Sequence, residues 1–454
     1  MRQRLILFLI LGVFCVGVTE WNLATRRVNL INKLNDFWLE FCVGNAGDQM
    51  HDPAVTVVRI DEGYEPLSIG EEGGGSGELS RLDYATILGF IGKLEPKALA
   101  FLPTPTFDEN RVLNQTDIVP LQDAALKLPR FTSATTVSND GEGAAETTAM
   151  TYPLLKVEGD PASLLSFTRS LRVPDPQILA NSDPAFKTVE SARDLVTPRN
   201  IRIPLVARST GGVVPSLVLL ASARQLGVPL DQIVVDLSGG RPMVRLGELR
   251  EIPIAADGTM IVPARAGLRR GMSSQIRTES GALETRHHFT SLTVDELAYT
   301  GQKDDEVAKR ILADLQSKFA SLTENLVVVG FDRAADRRFT TASGEALSET
   351  MLLARAIATI QSGRFLDRWP LWARGVAVLA LVAVAALLFR LPRRKFLPIA
   401  LLTAFAGLIL AVLLFRFTLS WAPPFLLVSL LGVLVLVGLV IPLRREQAQP
   451  GAVD

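Results

Sequence analysis

Three long apolar runs near the end of the chain constrain its fold more than any other feature. They cover residues 371–389, 396–415 and 425–443, and each is close to the ~20 residues that an α-helix needs to cross the hydrocarbon core of a bilayer. Arg374, near the start of the first run, is the only charged residue inside them. Soluble helices are rarely apolar on all sides over this length. The sequence therefore predicts three transmembrane helices within residues 371–443.

Basic residues in the connecting loops predict the orientation of these helices. Loop 390–395 contains three Arg and one Lys, and Arg444 and Arg445 follow the third run, whereas loop 416–424 contains a single Arg. Short loops rich in Lys and Arg stay in the cytoplasm. The first of the three helices should then run inward, and the tail, residues 444–454, should be cytoplasmic.

A shorter apolar run, residues 5–18, follows Arg2 and Arg4 at the start of the chain. Its length is that of a signal-peptide core, but no Ala-x-Ala cleavage pattern follows it. The run also extends to Leu23, with Trp21 placed as an interfacial anchor. Residues 1–23 fit an uncleaved membrane anchor better, and a cleaved signal peptide is the alternative. Both readings place residues 24–370 outside the cytoplasm, in agreement with the C-terminal loops.

Composition limits what residues 24–370 do. The chain carries 47 basic and 47 acidic residues, and a net charge of zero argues against a nucleic-acid-binding surface. Of the two cysteines, Cys15 lies in the first apolar run and cannot pair with Cys42. An extracytoplasmic domain without a disulfide framework fits a bacterial periplasm, so the predicted location is the bacterial inner membrane.

Short patterns in the first third of this region predict an α/β fold. Residues 54–61 are rich in β-branched side chains and end in acids, which is typical of a buried strand. Residues 81–94 form an amphipathic helical pattern, and residues 98–102 predict a second strand that Pro103 ends. Such a strand–helix–strand unit is normally parallel, so the predicted fold class is mixed α/β with a partly parallel sheet. Further on, residues 154–171 suggest a helix and residues 175–199 a long excursion.

Seven short segments follow one another in an order that resembles a known family. The first four are Val-Val-Arg-Ile-Asp-Glu at residues 57–62, the helical pattern at 81–94, Lys-Ala-Leu-Ala-Phe at 97–101 and Pro-Ser-Leu at 215–217. The last three are a hairpin pattern with a turn at 254–265, the segment 326–330 followed by Asp336 and Thr340, and the segment 351–363 directly before the apolar runs. In this order the chain resembles the type 2 CHASE family, the cyclase- and histidine-kinase-associated sensory extracellular domains. The resemblance covers nearly the whole chain and implies a membrane-anchored extracytoplasmic sensor that detects a signal.

The sequence also departs from that family. Gly77–Ser80 stand where the family has Trp-Pro-Trp-Pro, Leu102 where its second strand ends in Asp, and Met351 and Leu353 near the Glu and His of its last helix. The family's polar positions are thus partly apolar here. The candidate ligand-binding residues that remain are Asp61, Glu62, Arg81, Asp123 and Asp336.

Two of these candidates also follow from the predicted fold. Asp61 and Glu62 end one predicted strand, and Asp108 and Glu109 follow the next, so their carboxylates would gather at the carboxyl edge of a parallel sheet, where ligands bind. Arg81 has a structural alternative, a salt bridge to Asp61.

No pattern in the chain predicts catalysis, a metal or a cofactor. His287 and His288 are adjacent, so on a strand their side chains point to opposite faces, and no Cys supports a metal site there. The chain has no Gly-x-Ser-x-Gly motif and no credible triad. The sequence predicts a protein that is not an enzyme.

The end of the sequence bears on signal output. Proteins of the CHASE type usually carry a cyclase or kinase after the last span, and residues 447–454 leave no room for one. Besides the lipid bilayer, the predicted partner is therefore a separate cytoplasmic signalling protein. The alternative is a structural or assembly subunit of an envelope complex with no ligand, and a homodimer stays open.

Overall fold

The chain divides into two compact units. A helical unit contains residues 1–47 and 366–454, and an α/β unit contains residues 48–365. The computed structural model describes residues 2–25, 29–45, 54–64, 79–105, 107, 118–138, 152–189, 202–238, 241–262, 273–277, 283–287, 290–298, 325–336, 338–340, 346–421 and 423–440.

The described α-helices fall in both units. They are Arg2–Thr25 (α1), Asn29–Asn45 (α2), Arg81–Gly92 (α3), Ile118–Leu126 (α4), Pro176–Leu179 (α5), Leu217–Leu226 (α6), Val294–Ala298 (α7), Glu349–Ser362 (α8), Leu371–Leu388 (α9), Arg393–Thr418 (α10) and Pro424–Val440 (α11).

The described strands lie almost entirely in the α/β unit. They are Val55–Ile60 (β1), Ala98–Phe101 (β2), Phe131–Ser138 (β3), Lys156–Glu158 (β4), Arg169–Arg172 (β5), Asp183–Val189 (β6), Arg202–Pro204 (β7), Val206–Ser209 (β8), Gly212–Pro215 (β9), Ile233–Asp236 (β10), Met243–Leu246 (β11), Arg250–Pro253 (β12), Thr259–Ile261 (β13), Ser273–Arg277 (β14), Leu283–His287 (β15), Thr290–Thr293 (β16), Leu326–Phe331 (β17), Phe339–Thr340 (β18), Ala346–Leu347 (β19), Asp367–Arg368 (β20) and Ser420–Trp421 (β21).

A largely parallel sheet forms the centre of the α/β unit. Its order is β16-β1-β17-β2-β3, and β3 pairs further with β6 in parallel and with β5 antiparallel. The predicted mixed α/β class with a partly parallel sheet is confirmed. The predicted strands β1 and β2 are parallel but not neighbours, because β17 lies between them. The side chains of β17 from Leu326 to Val329 are buried on both faces, as a central parallel strand requires.

Helices cover both faces of this sheet, and each face has its own core. Alternate strand residues such as Val58, Leu99 and Val327 pack with α3, α4 and α7. The other alternate set, such as Val57 and Val328, packs with α6 and α8. Because successive side chains of a strand point to opposite faces, the two alternate sets of residues form two separate apolar cores, one on each face of the sheet.

Two predictions for the middle of the chain are wrong. Residues 154–171, predicted as a helix, form β4, a 3₁₀ turn at Pro161–Ser163 and β5. A continuous helix is disfavoured there by Gly159, which adopts a φ of +97°, and by Pro161, which lacks a backbone N–H and would clash with the preceding helical turn. Residues 175–199, predicted as an excursion, contain α5 and strand β6 of the central sheet up to residue 189. In the predicted hairpin at 254–265 the turn forms, since the backbone N–H of Ala255 donates to the carbonyl oxygen of Thr259, but β13 pairs with β7; residues 263–265 lie outside the described residues.

The helical unit is a bundle of apolar helices. Two of them, Gln3–Asn22 within α1 and Arg394–Thr418 within α10, are long and apolar enough to cross a membrane; the apolar stretches of α9 and α11 are shorter. Gly438 of α11 lies under the Phe396 ring of α10, where any side chain would collide with that ring. Small residues of this kind let apolar helices approach closely.

A close approach between α8 and β17 fixes the position of α8 on the sheet. A Cβ added to Gly330 would lie 2.3 Å from Oγ1 of Thr350 and 3.0 Å from its methyl carbon. The Thr350 hydroxyl, in turn, donates a hydrogen bond to the carbonyl oxygen of Phe331 at 2.7 Å. Glycine at this position therefore allows the start of α8 to sit directly on the end of β17.

We expect Gly330→Ala to destabilise the α/β unit by about 1–3 kcal/mol, since overpacking forces α8 away from β17. Thr350→Ala alone should lower the free energy of unfolding by about 1 kcal/mol, because it removes the hydrogen bond to Phe331. The double variant should cost less than the sum, because removing the threonine makes room for the new Cβ. Pulse proteolysis in urea measures each cost.

Gly89→Ala is the matched control for this series. Gly89 lies in α3, and a Cβ there meets nothing within 4 Å, so the substitution should be neutral or stabilising by up to ~1 kcal/mol. If the losses of unfolding free energy in Gly330→Ala and Thr350→Ala simply added in the double variant, the close approach of Gly330 and Thr350 would be contradicted. Tryptophan fluorescence does not serve here, because all five tryptophans lie in the helical unit.

Candidate functional site

A cavity of about 250 Å³ lies in the α/β unit, at the carboxyl edge of the parallel sheet. Phe331 ends β17, Leu102 follows β2, and Thr188 lies near the end of β6, so three parallel strands lead into it. The first turn of α8 closes another side. Ligands of open α/β folds bind at this edge because the strands end there and the loops leave space. The lining residues are Leu102, Lys187, Thr188, Arg202, Ile203, Pro204, Phe331, Asp336, Phe339, Glu349, Thr350, Leu352 and Leu353.

The cavity wall combines apolar side chains with charges of both signs. Nζ of Lys187 on β6 lies 3.2 Å from Oε2 of Glu349 on α8, and the two side chains are 17 % and 37 % exposed. Asp336, on the turn after β17, accepts a hydrogen bond from the backbone N–H of Arg333 at 2.7 Å. The site can therefore offer a compact ligand both hydrogen-bonding charges and apolar contact.

Ser348 holds the start of α8 at the cavity. Its hydroxyl oxygen accepts a hydrogen bond from the backbone N–H of Met351, and Ser348 is fully buried. An N-cap of this kind stabilises the first helical turn. Glu349 and Thr350, the first two residues of α8, are thereby fixed at the cavity wall.

The turn after β17 is braced by ion pairs next to the cavity. A carboxylate oxygen of Asp332 lies 3.4 Å from the Arg59 guanidinium, and its other oxygen lies 2.6 Å from that of Arg338. Glu62, after β1, accepts a hydrogen bond from the backbone N–H of Ala334 at 2.8 Å. These contacts tie the ends of β1 and β17 together and hold the turn that carries Asp336.

Arg81 lies away from the cavity, in a buried ion pair with Asp175. Its Nε and Nη2 atoms lie 3.2 and 2.7 Å from one carboxylate oxygen of Asp175, and the side chains are 3 % and 2 % exposed. The guanidinium also lies over the Phe107 ring, 4.9 Å from its centroid. The predicted pairing of Arg81 with Asp61 is therefore wrong, since the buried carboxylate of Asp175, just before α5, takes that position.

Asp61 forms a local turn instead. Its Oδ1 accepts a hydrogen bond from the backbone N–H of Gly63 at 3.1 Å. Next to this turn, the phenol of Tyr64 donates to Oδ1 of Asp83 at 3.0 Å. Burial and the neighbouring Asp83 carboxylate raise the pKa of Tyr64 well above its ordinary value, so the phenol stays a donor. Asp83 also completes a capping box with Ser80 and so fixes the start of α3.

The predicted site residues are thus not brought together as one group. Asp336 lines the cavity; Asp61 and Glu62 lie at turns on the same sheet edge; Arg81 is buried in an ion pair; and Asp123 is exposed on α4 in an open groove beside α3. The assignment of these residues to a ligand stays a prediction. Asp108 and Glu109 lie outside the described residues.

Sequence reasoning missed Lys187, Glu349 and Thr350 as lining residues. Lys187 lies in the segment interpreted as an excursion, and Glu349 lies just before the helix predicted from residue 351. A lysine between β-branched and aromatic residues, in Phe186 to Val189, was the available signal for a strand. Among the described residues, no group of three or more His, Cys, Asp or Glu side chains is placed to hold a metal ion.

Comparisons with known proteins add no assignment to this geometry. No protein-family model, no curated protein and no solved structure matches the chain. The functional interpretation accordingly depends on the residues and their arrangement.

We expect Asp175→Asn to destabilise the α/β unit by about 3–5 kcal/mol, because it leaves the buried Arg81 charge without its counter-ion. Asn retains the cap that Asp175 provides to the backbone N–H of Gln177, so the cost reports the lost charge. Pulse proteolysis in urea provides the measurement.

Glu158→Gln is the matched control for the buried pair. Glu158 pairs with Arg245, and those side chains are 41 % and 36 % exposed, so its loss should cost about 0–1 kcal/mol. Equal costs for the two substitutions would show that the Arg81–Asp175 pair contributes no more than a surface pair.

Proposed function

We propose that this protein is a membrane-anchored extracytoplasmic sensor of the bacterial inner membrane, related to the type 2 CHASE family, and not an enzyme. In this proposal the α/β unit binds a signal at the carboxyl-edge cavity. The change passes through the membrane-spanning helices to a separate cytoplasmic partner.

One observation carries the proposal: α8 both lines the cavity and leads the chain back to the helical unit. Glu349, Thr350, Leu352 and Leu353 line the cavity, and the same helix ends at Ser362. Its 14 residues correspond to about 21 Å of rigid helix. The chain enters the helical unit at Leu366, only a few residues later. A ligand that shifts the start of α8 would therefore act on the segment that leads into α9.

The proposal includes four spans, α1, α9, α10 and α11. The shorter two, with 18 residues in α9 and 17 in α11, extend about 26 Å along the helix axis, close to the ~30 Å hydrocarbon core. Interfacial tryptophans and short cytoplasmic loops rich in Lys and Arg are typical of membrane helices.

Contacts inside the helical unit support the proposed orientation. At one end, Glu20 of α1 pairs with Arg374 of α9, and β20 pairs with β21, which brings Trp369 and Trp421 to that end. At the other end, Phe8 of α1 packs against Phe389, next to the basic segment 390–395. The basic segment 390–395 thus lies at the end opposite Trp369 and Trp421, and its density of Arg and Lys favours a cytoplasmic position for that end.

The Glu20–Arg374 ion pair suggests how the first span follows the other three. The Arg374 side chain is 9 % exposed, and charged groups within apolar helix bundles are costly unless they are paired. A movement of α9 would therefore pull on α1. This supports a hypothesis in which a signal moves the first span relative to the block of three.

A second candidate function is a structural or assembly subunit of an envelope complex without a ligand. At two positions that are polar in the CHASE family, this chain has the apolar residues Leu102 and Leu353, and both line the cavity. The loss of polar groups from the cavity wall favours a function that needs no ligand. The two candidates differ in the partner that they require.

We expect cysteine labelling in intact cells to reveal the proposed topology. In a background with Cys15→Ala and Cys42→Ala, a membrane-impermeant maleimide should label Glu248→Cys, which is exposed on the β11–β12 turn, once the outer membrane is opened. It should label Arg390→Cys, exposed between α9 and α10, only after the inner membrane is permeabilised. Labelling of Arg390→Cys without that step would contradict the orientation.

We also expect affinity purification from native membranes in mild detergent to recover a cytoplasmic cyclase, kinase or phosphatase with the full-length protein, because the proposed signal leaves through a separate partner. Mass spectrometry identifies the partner, and an unrelated tagged multi-span protein is the control. Recovery of envelope proteins alone would contradict the sensor and support the structural subunit.

A further inference from the structure

We propose that α2 lies flat in the membrane–water interface, with a stripe of Leu30, Leu34, Phe37 and Phe41 inserted among lipid acyl chains. This lipid stripe is defined by those four residues. The inference concerns α2 within the helical unit and does not depend on the ligand-binding cavity.

The side chains of α2 divide into separate faces around the helix. Leu30, Leu34, Phe37 and Phe41 recur at intervals of four, three and four residues, so they follow one line along the helix. Three of them are strongly exposed, with Leu30 at 77 %, Phe37 at 66 % and Phe41 at 46 %. Large apolar side chains that share one exposed face are unusual in water and mark an interaction surface.

A second face of α2 is already occupied. Ile31, Trp38, Leu39 and Cys42 are buried, and the helix packs against α10 and α11 of its own unit. Asn22 of α1 donates a hydrogen bond to the side chain of Asn32 at 3.0 Å, which fixes α2 relative to the end of the first span. The helix therefore holds its orientation, and the lipid stripe stays turned away from the bundle.

A polar face borders the lipid stripe on its other side. Lys33, which lies about 60° around the helix from Leu30, is exposed on this side. A helix with one apolar and one polar face lies in the plane of the interface, with the apolar side a few ångströms below the headgroups. The position of α2 in the chain agrees with this, because it follows α1 by only three residues.

Lipid is a better occupant of this stripe than a second copy of the chain. A stable protein interface buries about 800 Å² on each partner, and four side chains along about 17 Å of helix offer much less. The helix α10, against which α2 packs, also has exposed apolar side chains, including Phe417 at 82 % and Leu414 at 37 %. The apolar stripe is thus part of a helical unit whose outer surface is itself apolar.

Spin-label accessibility tests this placement. In the background with Cys15→Ala and Cys42→Ala, single cysteines at Leu30, Phe37 and Phe41 carry a nitroxide, with Lys33→Cys as the matched position on the polar face. The full-length protein is reconstituted in phosphatidylethanolamine–phosphatidylglycerol vesicles. We expect labels on the lipid stripe to collide severalfold more with oxygen, and severalfold less with a water-soluble nickel chelate, than the label at Lys33→Cys.

A label at Trp38→Cys, on the buried face, controls for folding, because it should be shielded from both reagents if α2 keeps its packing. Nickel accessibility of Phe37→Cys equal to that of Lys33→Cys would overturn the proposal. Dipolar broadening that disappears on dilution with unlabelled protein would identify a second copy on the stripe and would overturn it as well.

Discussion

The contact between α8 and β17 is the constraint on which the rest of the α/β unit depends. Gly330 lets the first turn of α8 rest on the end of the central strand, and the Thr350 hydroxyl bonds to the carbonyl oxygen of Phe331. Because β17 lies between β1 and β2, a shift of α8 acts on the middle of the sheet and not on an edge. The cavity at the carboxyl edge exists where α8, β17 and β6 meet, and the Lys187–Glu349 pair spans it from β6 to α8.

The same helix suggests a reason for the order of elements along the chain. The α/β unit is inserted between α2 and β20, so both of its ends return to the helical unit. Inside that unit, the Glu20–Arg374 pair joins α1, which precedes the insertion, to α9, which follows it. In the proposed sensor, binding energy at the cavity becomes a displacement of α8 and then a change in the packing of α1 and α9, since packed elements move between discrete arrangements.

Local sequence patterns predicted the elements well and their long-range partners poorly. The strand β1 follows from a β-branched run, β2 from a short apolar run that Pro103 ends, and α3 from amphipathic spacing, because these signals act within a few residues. The position of β17 between β1 and β2 is not encoded in any of those runs. Arg81 and Asp175 are 94 residues apart, and Lys187 and Glu349 are 162 apart, so no local pattern distinguishes the true partner of Arg81 from Asp61. The prediction of a helix at residues 154–171 was wrong because it gave more weight to apolar spacing than to Gly159 and Pro161, two residue types that disfavour a helix interior.

The central claim, coupling of the cavity to the helical unit, can be measured without knowing the ligand. All five tryptophans lie in the helical unit, so tryptophan emission of the full-length protein in lipid nanodiscs reports that unit alone. In the background without Cys15 and Cys42, a bulky methanethiosulfonate attached to Thr188→Cys fills the cavity, and the same reagent on the exposed Glu248→Cys is the control. We expect modification at Thr188→Cys to change the emission and its quenching by acrylamide, and modification at Glu248→Cys to leave both unchanged. Identical emission before and after modification at Thr188→Cys would contradict the coupling.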